Sequence, residues 1–529
     1  MRAVQKLLCL ICLIAAINYS AYSCEIGEDK PIRGFMIDAP RGVESIEYYF
    51  RLIDFCQKEE INSIIFRLTD DQGSAYLFTS HPELNMCQGA FTAGEIRTLI
   101  EYAQARGIEM IPEIESFGHS KYITQTEKFK FLNDGPAGAD FNALCPVNDE
   151  AFGLMKELYT EVAAIFPGRY IHIGCDEVNW GSSEMSKKAL KTESKHQIWA
   201  EYVNKLNECV KSLGKKTIIW GDVPIYHEKD VLDLLNRDIV VMDWNYWETD
   251  KAKIEGVVNR VLDKGFSLIA CPAVSWCAWG PRVGELQFQN INAYAEVYGK
   301  LKSPNNLGII LSNWVPKRYL QNSQWDTYTI AAKIIKNNGN YNYMDAIPTF
   351  VKEHFGANYD ANWGKVFRTV YEETPQAGCG RNDHMKFSPW ASEKDIRDIL
   401  LKTGRLPDHF SKLINHLTTY RDQVTRNMGD FDDFLLTLKF IEYNYNRQNG
   451  LLEFVNSKER DLQSVETYLK NVAMEDQAQL SKIYSAWCQG RRCNPSEVVK
   501  DCMWSFKAAS DYSKHLSENP IEFVKMMRK

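Results

Sequence analysis

The chain has 529 residues, with 62 basic and 69 acidic side chains and a formal net charge of −7. A composition of 45% hydrophobic and 25% charged residues is typical of a globular protein and excludes extensive disorder. The acidic balance and the lack of a basic stripe argue against nucleic-acid binding, so we expect no nucleic-acid partner.

The first 23 residues have the pattern of a secretory signal peptide. Arg2 and Lys6 precede an apolar run over residues 7–17, which is too short to span a bilayer as a helix. Small residues at positions −3 and −1 fit cleavage before Cys24, and the same cysteine could instead be lipidated, as in bacterial lipoproteins. We therefore expect a bacterial exported protein, periplasmic or at the cell surface, with membrane attachment through Cys24 if that residue is lipidated.

Strand and helix patterns then alternate up to about residue 337. Eight short apolar or β-branched runs are the predicted strands: 32–38, 62–69, 108–115, 169–174, 215–221, 238–244, 265–270 and 307–314. Amphipathic stretches with apolar residues at i, i+3 and i+4 separate them and are predicted helices. Eight such units in about 310 residues is the count of a (β/α)8 TIM barrel, an α/β fold. A doubly wound open sheet also alternates strands and helices, although no GxGxxG motif follows the first strand.

After about residue 340 the strand patterns stop and amphipathic helical patterns continue to the end of the sequence. The sequence therefore predicts three segments. They are a signal peptide over residues 1–23, a (β/α)8 catalytic barrel over 24–340 and a mostly α-helical C-terminal domain over 341–529.

Carboxylates and tryptophans follow the predicted strands, at the ends where a barrel carries its reacting groups. In strand order they are Asp70 and Asp71; Glu113, Glu115 and then His119; Asp176 and Glu177; Trp220 and Asp222; Asp243, Trp244 and Trp247; Trp276 and Trp279; and Trp314. Each alone has a structural explanation, such as a helix N-cap or barrel packing. Together, acids and flat aromatic faces favour glycoside hydrolysis, which uses a protonated carboxylic acid beside the leaving oxygen and a carboxylate that stabilises positive charge.

The segment HIGCDE at 172–177 resembles the HxGxDE signature of the family 20 β-N-acetylhexosaminidases. Three further segments resemble this family in order and spacing: RGFMIDAPR (33–41), LTDDQG (68–73) and IPEIESFGHS (111–120). In the last of these, Glu115 stands where the family usually has Asp. The resemblance covers about residues 31–180, is looser up to Trp314 and does not extend to the helical region.

The resemblance implies an exo-acting enzyme that removes terminal β-linked N-acetylglucosamine or N-acetylgalactosamine from a glycan with retention of configuration. In this family the nucleophile is the acetamido oxygen of the substrate, which attacks the anomeric carbon and forms an oxazolinium intermediate. Glu177 would be the general acid and base, and Asp176 would orient the acetamido group. Substrate-binding roles are implied for Arg33, at the sugar hydroxyls, and for Asp70, His119, Trp220, Trp244, Trp247 and Trp314.

The sequence departs from the family's pattern after the last two strands. The seventh strand usually leads into Tyr-x-Asp, whose tyrosine holds the acetamido oxygen, but residues 271–280 contain no tyrosine. The tryptophan of the eighth strand, Trp314, is followed by Val-Pro instead of an acid. We expect Tyr246, Ser275 or Tyr294 to replace the missing tyrosine, and the choice between the two amino sugars stays open.

Two alternatives remain at this stage. A non-catalytic glycan-binding relative is disfavoured by the intact Asp176–Glu177 pair, because a binding protein does not need a protonated acid beside the bond. A glycosidase with two enzyme carboxylates needs them on opposite sides of the sugar, about 5–5.5 Å apart for retention and about 6.5–9.5 Å for inversion, which adjacent residues disfavour. No HExxH motif or CxxC pair accompanies the acids, so we expect no metal and no other cofactor.

Overall fold

The computed structural model describes residues 30–139, 142–227, 230–275, 282–374, 405–458, 461–492 and 504–527, together with residues 394 and 397. The predicted signal peptide, Cys24, Trp276 and Trp279 lie outside the described residues. Within the described ranges, no helix combines the length and the apolar character needed to cross a membrane.

Eight parallel strands form a closed barrel, which confirms the predicted fold class. They are β1 Ile32–Asp38, β2 Ser63–Arg67, β3 Glu109–Glu113, β4 Tyr170–His172, β5 Lys216–Trp220, β6 Val240–Asp243, β7 Ser267–Ala270 and β8 Asn306–Asn313. Each strand pairs with the next in chain order, and β8 closes the barrel against β1, with Gly34 opposite Ile310. Because all the strands are parallel, their carboxyl ends meet at one rim.

Helices cover the outside of the barrel, which is why the strands are continuous apolar runs rather than alternating ones. In chain order they are α1 Ile46–Lys58, α2 Ala93–Gln104, α3 Asp149–Ala163, α4 Lys195–Ser212, α5 Lys251–Asp263, α6 Glu285–Lys300 and α7 Trp325–Lys336. Short polar side chains begin several of them. Thr92 starts α2 in a capping box with Glu95, and Ser194 starts α4 in another with Gln197.

Several connections depart from the simple strand–helix pattern, two of them most clearly. The β2–α2 connection contains a small three-stranded sheet of Thr69–Asp70, Gly73–Tyr76 and Met86–Phe91. The β5–β6 connection consists of a π-helical turn, Asp222–His227, and the short helix Val231–Leu234. Neither was predicted, because strands and helical turns this short carry too few residues to show a period.

The region after the barrel is helical, as predicted. Its longer helices are α8 Ala361–Arg368, α9 Phe410–Thr419, α10 Met428–Ser457, α11 Leu462–Gln489, α12 Trp504–Glu518 and α13 Pro520–Met526, and a shorter helix spans Ala346–Phe350. The main hydrophobic core continues from the barrel into α8, α9 and the first half of α10. A second, smaller core joins the end of α10 to α11, α12 and α13. The predicted boundary at residue 340 stays a prediction.

Candidate active site

A buried arginine organises the acids inside the rim. Arg67, the last residue of β2, has Nη1 3.0 Å from Asp38 and 2.9 Å from Asp70, Nε 3.3 Å from Glu113 and Nη2 2.5 Å from Glu115. One guanidinium therefore contacts four carboxylates, and all five side chains are buried. Burial raises the pKa of Glu113 to about 7 and that of Glu115 well above its usual value, although Arg67 opposes both shifts.

His119 lies between the acids that follow β2 and those that follow β4. Its Nδ1 is 2.8 Å from Asp71 Oδ2, and its Nε2 is 3.3 Å from Glu177 Oε2 and 3.7 Å from Asp176 Oδ2. Burial lowers the pKa of His119, but the charge of Asp176 and the hydrogen bonds to the three carboxylates raise it well above its usual value overall. Both ring nitrogens of His119 therefore face carboxylates, and these carboxylates favour the protonated form of the ring.

The same residues are spaced closely enough to be considered as metal ligands. One atom each of His119, Asp176 and Glu177 lies within 4.8 Å of the others. A metal needs the neutral imidazole, because the ligand atom must present a lone pair. Since both nitrogens of His119 face carboxylates that raise its pKa and favour the protonated ring, this cluster fits a hydrogen-bonded acid–base group better than a metal centre.

Asp176 and Glu177 are adjacent in the chain but occupy different environments. Asp176 is buried, whereas the side chain of Glu177 is 43% exposed at the rim. Burial raises the pKa of Asp176, but the neighbouring cations, above all His119, lower it below its usual value overall. Asp176 is therefore an ionised acid in the wall of the site, and Glu177 is an acid that a bound molecule can reach.

The backbone around this pair is strained. Cys175 and Glu177 have left-handed φ angles of 77° and 45°, which side-chain-bearing residues rarely adopt. Gly174 lies at φ 70°, where a Cβ atom would stand 2.0 Å from Glu115 Oε2. The backbone N–H of Glu177 donates to Asp222 Oδ2 at 2.9 Å, and this hydrogen bond helps to hold the turn. The turn explains how neighbouring acids come to face different parts of the site.

Aromatic side chains line the other half of the rim. Trp220 is fully buried, and its Nε1 donates to Glu113 at 2.8 Å, so it supports the floor of the site from beneath. Its ring lies 5.6 Å from that of Trp314. Trp244, which is half-buried, and Trp247, which is 45% exposed, pack on the two sides of Tyr246. A cavity of about 320 Å³ opens beside them. The structure thus groups all four predicted tryptophans at one end of the barrel.

A comparison with known protein families matches this chain to one family. Residues 31–305, just over half of the chain, match the model of the glycosyl hydrolase family 20 catalytic domain. The chain belongs to glycosyl hydrolase family 20. The resemblance found in four short segments is thereby confirmed. The match ends before β8, the strand after which the sequence departs from the family's pattern.

Relatives of this family 20 chain include proteins from animals and bacteria. It is 26% identical over 265 residues to the beta-hexosaminidase subunit beta of Mus musculus, covering 47% of this chain and 46% of that protein. It is 26% identical over 225 residues to a beta-hexosaminidase of Porphyromonas gingivalis, covering 37% of this chain and 29% of that protein. The chain therefore spans less than half the length of these relatives. A crystal structure of a beta-N-acetylhexosaminidase shares the fold, with a TM-score of 0.52 at 18% identity, over 63% of this chain and 79% of that one.

Arg33 does not lie in the site of this family 20 protein, so the prediction that it binds sugar hydroxyls is wrong. It is the second residue of β1, and its backbone carbonyl accepts from Asn62, which precedes β2. Its Nη2 lies 3.5 Å from Glu60 Oε2, in the connection between α1 and β2. These contacts place Arg33 at the amino end of the barrel, opposite the acids.

The arginine that the structure brings to the rim is Arg41, at the end of the same segment. It closes the short turn that follows β1, and its Nη2 is 2.7 Å from Asp70 Oδ2. Its guanidinium lies 5.4 Å from the centre of the Trp314 ring. Strand direction was the signal that separates the two arginines, since Arg33 begins a parallel strand and Arg41 follows its carboxyl end.

Of the three residues proposed to replace the missing tyrosine, Tyr246 is the one that packs among the rim tryptophans. Its hydroxyl accepts from Trp314 Nε1 at 2.7 Å, and its ring lies among the rim tryptophans. Ser275 donates instead to Asn313 at 3.0 Å, in the wall between β7 and β8. The carbonyl of Ser275 also accepts from Trp314 N at 3.0 Å. Tyr294 lies on α6, and its hydroxyl hydrogen-bonds to Asp243 at the end of β6. All three residues therefore lie near the carboxyl ends of the strands, and the replacement of the missing tyrosine stays a prediction.

Proposed function

We propose that the protein is an exo-acting β-N-acetylhexosaminidase that removes terminal β-linked N-acetylglucosamine or N-acetylgalactosamine by substrate-assisted, retaining hydrolysis. The observation that carries the proposal is the contrast between Asp176, buried and ionised, and Glu177, reachable at the rim, with both carboxylates against His119. The names of the relatives support the same activity, since they are beta-hexosaminidases.

In the first step, the acetamido oxygen of the substrate attacks the anomeric carbon while the bond to the leaving oxygen breaks. Glu177 gives its proton to that oxygen, and the acetamido group becomes a positively charged oxazolinium ring. Asp176, as a buried carboxylate, accepts from the acetamido N–H and stabilises the developing charge. In the second step, water gives a proton to Glu177 and adds to the anomeric carbon, which releases the sugar with its configuration retained.

The protonated imidazole of His119 sits where it can serve both steps. Its Nδ1 lies 2.8 Å from Asp71, and its Nε2 lies 3.3 Å from Glu177 and 3.7 Å from Asp176. When Glu177 has given up its proton, the new carboxylate gains a charge-assisted hydrogen bond from His119. This hydrogen bond stabilises the ionised form of Glu177 when that form is needed as the base.

The geometry weighs against a glycosidase that uses both carboxylates directly. Oxygen atoms of Asp176 and Glu177 lie within 4.8 Å of each other and beside the same nitrogen. Two carboxylates that act on opposite sides of a sugar stand about 5–5.5 Å or about 6.5–9.5 Å apart. Asp176 is also buried, so a sugar carbon does not have the open approach that a nucleophile requires.

The proposal is tested with nitrophenyl β-glycosides of N-acetylglucosamine, N-acetylgalactosamine and glucose. We expect the acetamido sugars to be cleaved and glucose to react at least about 10³-fold more slowly, because glucose lacks the internal nucleophile. Replacing the acetyl group by mono-, di- and trifluoroacetyl should lower kcat stepwise, because fluorine weakens the attacking oxygen. Comparable cleavage of the glucoside would support the two-carboxylate alternative. Binding of the amino sugars without cleavage would support the glycan-binding alternative.

Tyr246 gives a second test of how the acetamido group is held. Tyr246→Phe is expected to lower kcat on nitrophenyl N-acetylglucosaminide by about 10²-fold, the usual cost of removing one donor that acts on a developing charge. Ser275→Ala is the matched control, because it removes a hydroxyl buried in the wall of the barrel, and its kcat should stay within a few-fold of the wild type. A larger loss in Ser275→Ala than in Tyr246→Phe would contradict the assignment.

A further inference from the structure

One arginine of the helical region is buried against the catalytic rim. Arg491 follows α11, and its side chain is 2% exposed. Its Nε lies 2.9 Å from Glu44 Oε1, and its Nη2 donates to the carbonyl oxygens of Pro316 at 2.7 Å and Tyr319 at 3.0 Å. One guanidinium therefore joins the connection after β1 to the connection after β8.

The backbone around Arg491 makes the same link. Gly490 accepts from Ser45 N at 2.8 Å, and Arg492 N donates to Val43 at 3.0 Å, so three residues lie alongside the loop after β1. Trp487 Nε1 donates to the carbonyl of Lys317 at 2.9 Å, in the loop after β8. The end of α11 is thus hydrogen-bonded to both loops.

These two loops carry one side of the site. The first holds Arg41 and the second follows Trp314, and the guanidinium of Arg41 lies 5.4 Å from the Trp314 ring. The loops also touch each other directly, since a Cβ on Gly42 would stand 3.0 Å from the backbone nitrogen of Lys317. In the second loop, Val315 adopts a left-handed φ of 50° and donates to Asp38 Oδ2 at 2.8 Å. A strained turn of this kind persists only where its surroundings hold it.

We propose that Arg491 is a positioning residue for the site, which fixes Arg41 and Trp314 where they meet the terminal sugar. The proposal rests on the proposed function, because it needs a sugar in contact with those two side chains. Removing the guanidinium takes its hydrogen bonds away from the buried carboxylate of Glu44 and from the carbonyl oxygens of Pro316 and Tyr319. The link between the two loops would then weaken, and Arg41 and Trp314 would move with them.

The test is a comparison of KM and kcat for Arg491→Met and Arg491→Lys on nitrophenyl N-acetylglucosaminide. We expect Met to raise KM about 10- to 100-fold with kcat changed only a few-fold, because Glu177 and His119 lie on other elements. Arg491→Lys keeps the positive charge, and its KM is expected to lie between those of the wild type and Arg491→Met. An unchanged KM in a folded Arg491→Met protein would overturn the proposal.

Asp430→Asn is the matched control, because it also weakens the attachment of the helical region to the barrel. Asp430, on α10, contacts Arg51 of α1 and lies 2.8 Å from His354 Nε2, and neither of these residues belongs to the two loops. Its KM should stay near that of the wild type. An equal rise of KM in Asp430→Asn would mean that general loosening, and not Arg491, sets the effect, and the proposal would fail.

Two further measurements distinguish the loss of positioning by Arg491 from a failure to fold and from a failure of the proposed function. Where Arg491→Met does not fold, Glu44→Gln removes the charge of the partner with little change of shape and should raise KM in the same direction. Hydrogen exchange of residues 39–45 and 314–319 should be faster in either variant than in the wild type. Hydrogen exchange can be measured without turnover. An inactive wild type would therefore contradict the proposed function, and the role of Arg491 in positioning the loops would be decided by hydrogen exchange alone. Unchanged exchange would overturn it.

Discussion

Replacing Glu177 by Gln is expected to lower kcat on an N-acetylglucosaminide with a poor leaving group by about 10³-fold. The amide keeps the size and the exposed position of the side chain but cannot give a proton to the leaving oxygen. The loss should shrink for a dinitrophenyl glycoside, because that leaving group departs without protonation. The measurement is kcat for a series of aryl glycosides in both proteins. A steep dependence on the acidity of the phenol in the variant alone identifies Glu177 as the acid.

Glu184→Gln is a suitable control for this experiment. Glu184 is an exposed glutamate on the short helix Glu184–Ala189, seven residues further on, where it pairs with Lys187 at 2.8 Å. Surface pairs of this kind contribute little to stability, so the control should match the wild type in kcat and in melting temperature. If Glu177→Gln kept the kcat of the wild type on the poor leaving group, some other residue would have to be the acid.

Most of the barrel could be predicted from the sequence because its strands are buried on both faces. Runs such as residues 238–244 and 307–314 are mostly apolar, and the structure has strands at Val240–Asp243 and Asn306–Asn313. The predicted runs extend past the observed strands where the chain leaves the sheet to build the rim. At β4, for example, the predicted run extends two residues past His172 to Gly174, where the strained turn begins that sets Asp176 and Glu177 in different directions.

The parts of the site that could not be predicted depend on contacts between distant residues. Arg67 lies inside a predicted strand, where nothing in the pattern shows that one guanidinium meets four acids. Arg491 and Glu44 are 447 residues apart, and no period relates them. The error at Arg33 has a similar origin, since a segment with an arginine at each end does not show which one reaches the rim until strand direction is considered.

Arg67→Met is expected to destabilise the folded protein by about 3–5 kcal/mol at pH 7, the usual cost of leaving buried charges without a partner. Methionine fits the space of the arginine stem, so the loss would come from charge and not from a cavity. Asp38 and Asp70 would keep Arg41 nearby, at 3.6 and 2.7 Å, but the four carboxylates would lose the one guanidinium that contacts all of them. The measurement is the urea concentration at the midpoint of unfolding, compared with Arg106→Met. Arg106 forms a surface pair with Asp54 at 2.6 Å, and its loss should cost less than about 1 kcal/mol.

The pH dependence of this loss separates charge from packing. In the wild type, burial raises the pKa of Asp70, but Arg41 and Arg67 lower it below the pKa of the unfolded chain. The ionised form of Asp70 therefore contributes stability above the pKa of the unfolded chain. That contribution is lost as the pH falls through the pKa of the folded state. The pKa of Glu113 is raised to about 7 in the wild type even though Arg67 lowers it, so in the variant Glu113 takes up its proton at a higher pH and reduces the unpaired charge. The difference between Arg67→Met and the wild type should therefore shrink as the pH is lowered from 8 to about 5. A difference that stays constant over this range would show that Arg67 stabilises the barrel by packing and not by pairing with the acids.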